Sequence, residues 1–151
     1  MIKQKLQQDQ FTAMKSADKD KVTVLRYILA QIQNKEIEKK ANLTDEETIV
    51  VLRRFVKELN ESIEAFTKGN RADLVAGTKK QLEIITPYLP AEITNDELKK
   101  EIQKIVDQNK EIQQNNLPAG RQAPKQLIGI CVKALKSKAE PGRIIKILKS
   151  L

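Results

Sequence analysis

Three groups of side chains in this sequence are of types that do chemistry. Asp45, Glu46 and Glu47 stand side by side, and Glu58, Glu61 and Glu64 recur at helical spacing. Paired carboxylates act as general acid and base when burial and neighbouring charge drive their pKa values apart. The first three follow Thr44, however, and acids in a first helical turn are what the helix dipole favours. A carboxylate-held Mg²⁺ would lack the glycine-rich phosphate cradle that usually accompanies it. Cys131 is the second candidate, but the chain has no His to activate a thiol and no second Cys to pair with it. With Ile128 three residues before and Leu135 four after, Cys131 falls on an apolar helix face as a small hydrophobe. Ser16, Ser62, Ser137 and Ser150 have no nucleophile-elbow setting. We therefore expect no catalytic residue, no metal site and no cofactor.

The third group is cationic. The 151 residues carry 28 Lys plus Arg against 20 Asp plus Glu, a net charge of +8. Residues 1–120 hold 20 of the cations and 19 of the acids. Residues 121–151 hold Arg121, Lys125, Lys133, Lys136, Lys138, Arg143, Lys146 and Lys149 against Glu140 alone, a local +7. Such an excess points to a polyanion, either nucleic acid or an anionic membrane surface. At 100° per residue, Lys125, Gly129, Lys133 and Lys136 fall within about 80° of one another, away from Ile128, Cys131 and Leu135. Arg143, Lys146 and Lys149 lie opposite Ile144, Leu148 and Leu151 in the same way. Gly129 removes a side chain where a phosphate backbone could approach. The candidate nucleic-acid contacts are Lys125, Gly129, Lys133, Lys136, Lys138, Arg143, Lys146 and Lys149. The competing interpretation is an ordinary solvated helix face. Aromatics are only 3% of the chain, too few for a base-stacking platform.

These residues must be carried by helices. Apolar positions recur with a helical period from Met1 to Lys15 (Ile2, Leu6, Phe11, Met14), and again to about Lys40 through Leu25, Ile28, Leu29 and Ile32. Thr44 and Glu47 form a capping box ahead of a stripe of Ile49, Leu52, Val56, Leu59, Ile63 and Phe66. Gly69 and Asn70 stop that helix, both tolerating the left-handed conformation. A fourth helix from about Arg71 carries Leu74, Leu82, Ile85 and Leu89 and ends near Pro87 and Pro90. Thr94 and Glu97 make a second capping box, with Ile93 and Leu98 placed as a hydrophobic staple. Helix five runs to about Ile112, Asn115 to Pro124 reads as a loop, helix six covers about Lys125 to Lys138, and Pro141 opens helix seven. The fold class is all-α: an N-terminal four-helix bundle-like domain at 1–90, then a three-helix tail domain at 91–151. No apolar run reaches the roughly 20 residues of a membrane span and no signal peptide is visible. The expectation is a soluble cytoplasmic protein without a membrane partner.

Residues 5–98 resemble the GatB/YqeY-type small proteins. The resemblance is carried by Ala13-Met14-Lys15, Asp18-Lys19, Leu25-Arg26, Leu43-Thr44-Asp45-Glu46-Glu47, Ser62-Ile63-Glu64-Ala65-Phe66, Gly69-Asn70-Arg71-Ala72-Asp73-Leu74 and Tyr88-Leu89-Pro90. Toward the C-terminus, Gly129-Ile130-Cys131-Val132-Lys133-Ala134, Lys138-Ala139-Glu140-Pro141, Ile144 and Leu148 are similar to the tail of the B subunit of the tRNA-dependent amidotransferase. Ser137 stands where that tail commonly has Gly. The resemblance implies a two-part helical fold whose C-terminal part contacts tRNA. It also implies a family label of carbon-nitrogen ligase with glutamine as amido-N donor. The chain has no counterpart of that subunit's ATP-binding cradle domain, so amidation by this chain alone is not expected. The resulting expectation is a non-catalytic accessory module binding tRNA or another structured RNA. The alternative is a protein-interaction module docking on a translation-related enzyme, an amidotransferase among the partners considered.

Overall fold

The structure, a computed structural model, describes residues 1–110 and 125–150. It is all-α, with no strand among the described residues. The chain gathers into two compact units, Met1–Pro90 and Ala91–Leu151.

The first unit contains α1 (Ile2–Lys15), α2 (Lys19–Lys39), α3 (Asp45–Lys68), α4 (Ala72–Ile85) and a 3₁₀ turn at Thr86–Tyr88. The starts of α2 and α3 are set by side-chain caps. Asp18 accepts a hydrogen bond from the Lys21 amide at 3.2 Å. Thr44 accepts from the Glu47 amide at 3.2 Å while Glu47 accepts from the Thr44 amide at 2.8 Å. Together Leu6, Val24, Leu25, Ile28, Ile32, Leu52, Phe55, Leu59 and Ile85 form the buried core. Each fully buried leucine or isoleucine there contributes about 1.5–3 kcal/mol relative to exposure.

Packing departs from the sequence stripes in three places. On α1, Phe11 is 60% and Met14 54% exposed, and Leu6 with Ala13 does the burying. Helix geometry puts Ala13 about 20° from Leu6 and Phe11 about 140° away, so one helix face cannot bury all four expected residues. On α3 the buried line is Thr48, Leu52, Phe55 and Leu59, rotated about 40° from the expected stripe. Thr48 tolerates burial because its hydroxyl donates to the Thr44 carbonyl at 2.9 Å. On α4, Thr78 and Ile85 are buried whereas Leu74 is exposed. The stop after α3 also differs in detail: Gly69 keeps φ at −82° and Asn70 alone takes the left-handed conformation, with φ 55°.

Four polar ties fasten this unit. Glu36 accepts from the Lys3 ammonium at 2.6 Å and from the Leu43 amide at 3.1 Å. Asp45 accepts from the Ile2 amide at 3.0 Å, and the Tyr88 hydroxyl donates to Asp9 at 2.5 Å.

The second unit contains α5 (Asn95–Gln108), α6 (Lys125–Leu135) and α7 (Pro141–Ser150). Thr94 and Glu97 close the expected capping box at 3.3 and 3.0 Å. α5 stops short of Ile112: the Asn109 side-chain amide donates to the Ile105 carbonyl at 2.8 Å and closes the helix. Positions 111–112 and the expected Asn115–Pro124 loop lie outside the described residues. α6 ends at Leu135, three residues before Lys138, because the Lys138 and Ala139 amides both turn back to the Leu135 carbonyl. Leu98, Ile102, Val106, Leu127, Cys131, Leu135, Ala139, Ile144 and Leu148 form a separate core, and Ile93 packs against it.

Candidate nucleic-acid interface

α6 separates its chemistry cleanly. Leu127, Cys131 and Leu135 are buried, at about 200–280° around the helix from Lys125. Lys125, Gly129 and Lys133 are exposed on the other side, and Lys136 continues that exposure just past the helix end. On α7, Ile144 and Leu148 are buried while Lys146 and Lys149 are exposed. The core therefore fixes the orientation of five lysines toward solvent. No ion pair reaches any of the five from among the described residues.

Gly129 lies inside this stripe. A Cβ at that position would meet no heavy atom within 4 Å, so packing gives no reason for a glycine there. A glycine in a helix interior costs about 0.5–1 kcal/mol relative to alanine. Gly77 in α4 has equally open surroundings but has a lysine one turn away on one side alone, Lys80, with Asp73 on the other. Gly129 is flanked by lysines on both sides, Lys125 and Lys133.

The remaining two candidates are differently placed. Lys138 stands 3.6 Å from Glu101, which also meets Lys104 at 3.3 Å. The Lys104 hydrogen bond, then the Lys138 charge, hold the Glu101 carboxyl below its usual range. Arg143 turns back into its own unit. Its guanidinium pairs with Glu92, donates to the Ile93 carbonyl at 3.1 Å and donates to the Asn95 side chain at 2.7 Å. Arg143 thus shares a side of α7 with Lys146, but its guanidinium is engaged in holding the segment before α5. Nothing in the sequence flags Glu92 or Asn95 as its partners, since they lie 51 and 48 positions away.

Several of the groups weighed for catalysis have structural work. Glu47 completes its cap and meets Lys39 at 2.6 Å; the Lys39 hydrogen bond, then the Thr44 amide, lower its pKa. Glu58 pairs with Arg54 at 3.2 Å. Burial pushes the Cys131 thiol pKa up, the wrong direction for a thiolate nucleophile. Ser62 and Ser150 donate to carbonyls of their own helices at 2.8 and 2.6 Å.

A family model described as Yqey-like protein matches residues 3–151. The chain belongs to the YqeY family. An uncharacterized protein of Schizosaccharomyces pombe is 30% identical over 83 residues, 55% of this chain and 68% of that protein. Two relatives are named altered inheritance of mitochondria protein 41, mitochondrial. The one from Eremothecium gossypii is 34% identical over 87 residues, 57% of this chain and 48% of its own. The one from Lachancea thermotolerans is 36% identical over 85 residues, 56% of this chain and 46% of its own. The YqeY-family chain thus spans about half the length of these two relatives. Their names overturn the expected cytoplasmic location, since the compartment they carry is the mitochondrion.

Proposed function

We propose that this YqeY-family chain is a non-catalytic binding module whose second unit holds the phosphate backbone of a structured RNA, tRNA foremost. The observation that carries this is the opposition on α6 and α7. Buried Leu127, Cys131, Leu135, Ile144 and Leu148 force Lys125, Lys133, Lys136, Lys146 and Lys149 outward together. All five aromatic residues (Phe11, Tyr27, Phe55, Phe66 and Tyr88) lie before residue 91. The unit therefore has no ring on which to stack an unpaired base. A backbone-reading surface suits folded RNA, which is recognised largely by shape and phosphate position.

Reversing Lys125, Lys133, Lys136 and Lys146 to Glu abolishes tRNA binding in this reading, while the helical signal in circular dichroism stays unchanged. With five lysines available, the logarithmic salt slope of binding is at most about 4–5. Binding that survives the four reversals would overturn the assignment. Exposed Phe11 and Met14 on α1 favour a second reading, in which the first unit docks on a protein partner. A nuclease-resistant stoichiometric complex that is lost on Phe11→Ser would distinguish it.

A further inference from the structure

We propose that Glu92 is a built-in competitor of the polyanion, occupying Arg143 so that the α7 surface is held partly closed. This rests on the phosphate-binding reading above. Arg143 and Lys146 are three residues apart on α7 and share one side of it, so a phosphate held by Lys146 lies within reach of the Arg143 side chain. The guanidinium is already engaged by the Glu92 carboxylate, the Ile93 carbonyl and the Asn95 side chain. The same strand of chain is tied a second time, by the Ile93 amide donating to the Lys138 carbonyl at 3.5 Å. Glu92 and its neighbours thus form a clasp beside the α6–α7 turn, where exposed Lys136 and Lys138 also sit.

Both Arg143 and Glu92 are accessible, with side chains 31% and 43% exposed, so an incoming phosphate can contest the pair. Phosphate offers the guanidinium the same bidentate acceptor geometry that carboxylate does. Each competitor weakens the other by the same factor, because coupling between two binding events is reciprocal. An RNA seated on α6 and α7 therefore loosens the segment running from Glu92 to Asn95, and the clasped segment in turn weakens RNA binding.

The test compares tRNA binding by the full chain, by Glu92→Gln and by Asp107→Asn. The glutamine keeps the shape and the acceptor oxygen of Glu92 but removes its charge. Asp107→Asn removes one charge from the same unit away from the clasp. We expect Glu92→Gln to bind unfractionated tRNA about threefold more tightly, the scale of an exposed ion pair, and about twofold more tightly than Asp107→Asn. Amide hydrogen exchange at Ile93 should speed up when tRNA is added to the full chain. If tRNA binds and the lysine reversals abolish it, yet the two neutral variants bind alike and Ile93 exchange does not change, the clasp is overturned and the RNA reading stands. If neither the full chain nor Glu92→Gln retains tRNA, both are overturned.

Discussion

At the scale of single residues, Ala17 and Lys40 adopt φ values of 57° and 58°. An L-residue with a Cβ spends about 1–2 kcal/mol to sit in that left-handed region, and glycine does not. Part of the gain from glycine is offset by the extra freedom it gives the unfolded chain. Ala17→Gly and Lys40→Gly should each raise stability by about 0.5 kcal/mol, measured as the urea midpoint multiplied by the slope. A second residue-scale effect concerns acid. The Lys3 hydrogen bond, then the Leu43 amide, hold the Glu36 carboxyl below its ordinary value of 4.5. A carboxyl with a lowered folded-state pKa binds fewer protons folded than unfolded. Its contribution is complete above the unfolded value and is lost as pH falls through the folded one. Stability should therefore decline on acidification below about pH 4.5, and Lys3→Met should flatten that decline. Equal acid slopes for the two proteins would refute the role of this pair.

At the scale of elements, the helices themselves were readable because their starts are written in local chemistry. Thr44 with Glu47 and Thr94 with Glu97 satisfy backbone donors within four residues, so no tertiary knowledge is needed. Helix faces were less readable. Phe11 and Met14 look like core residues by type, but Ala13 lies nearer Leu6 around the helix and takes the buried place, and a small alanine carries little signal of its own. Leu127 is equally hard to single out, since it sits just inside the start of α6, where Ile128 offers as good an apolar candidate. The cationic face of α6 was legible from spacing alone, whereas the diversion of Arg143 to Glu92 and Asn95 required two distant segments to meet. Two element-scale outcomes follow. Thr94→Ala should cost about 1 kcal/mol, the usual value of an N-cap, seen as a lower melting temperature of the second unit. Gly129→Ala should stabilise α6 by about 0.5–1 kcal/mol, because helix propensity improves and the new methyl group meets nothing. If a phosphate does approach the bare backbone there, the same variant binds tRNA less well, and the two readouts move in opposite directions.

At the scale of the whole chain, the two cores share no buried residue. One is built on Leu25, Ile28 and Leu52, the other on Leu98, Cys131 and Ile144. A cavity opened in either should act locally. Ile144→Ala should cost about 2–5 kcal/mol and sharply accelerate amide exchange across α5, α6 and α7. Slow amides of α2 and α3 should be unaffected, and a matching loss of protection there would show that the units fold as one. A stretch of about 60 residues has little core to spare, which makes the second unit the more sensitive of the two to such a change.

The confinement of every aromatic ring to the first unit leaves the second invisible to tyrosine fluorescence and to near-ultraviolet circular dichroism. Its single thiol supplies what the rings do not. Cys131 is the chain's one cysteine and is shielded at the centre of that unit's core. A colourless chain segment thereby carries its own clock, because a thiol reagent can react only when α6 lifts from α5 and α7. Labelling rates with and without added RNA would time the opening of the binding unit directly, with no engineered probe.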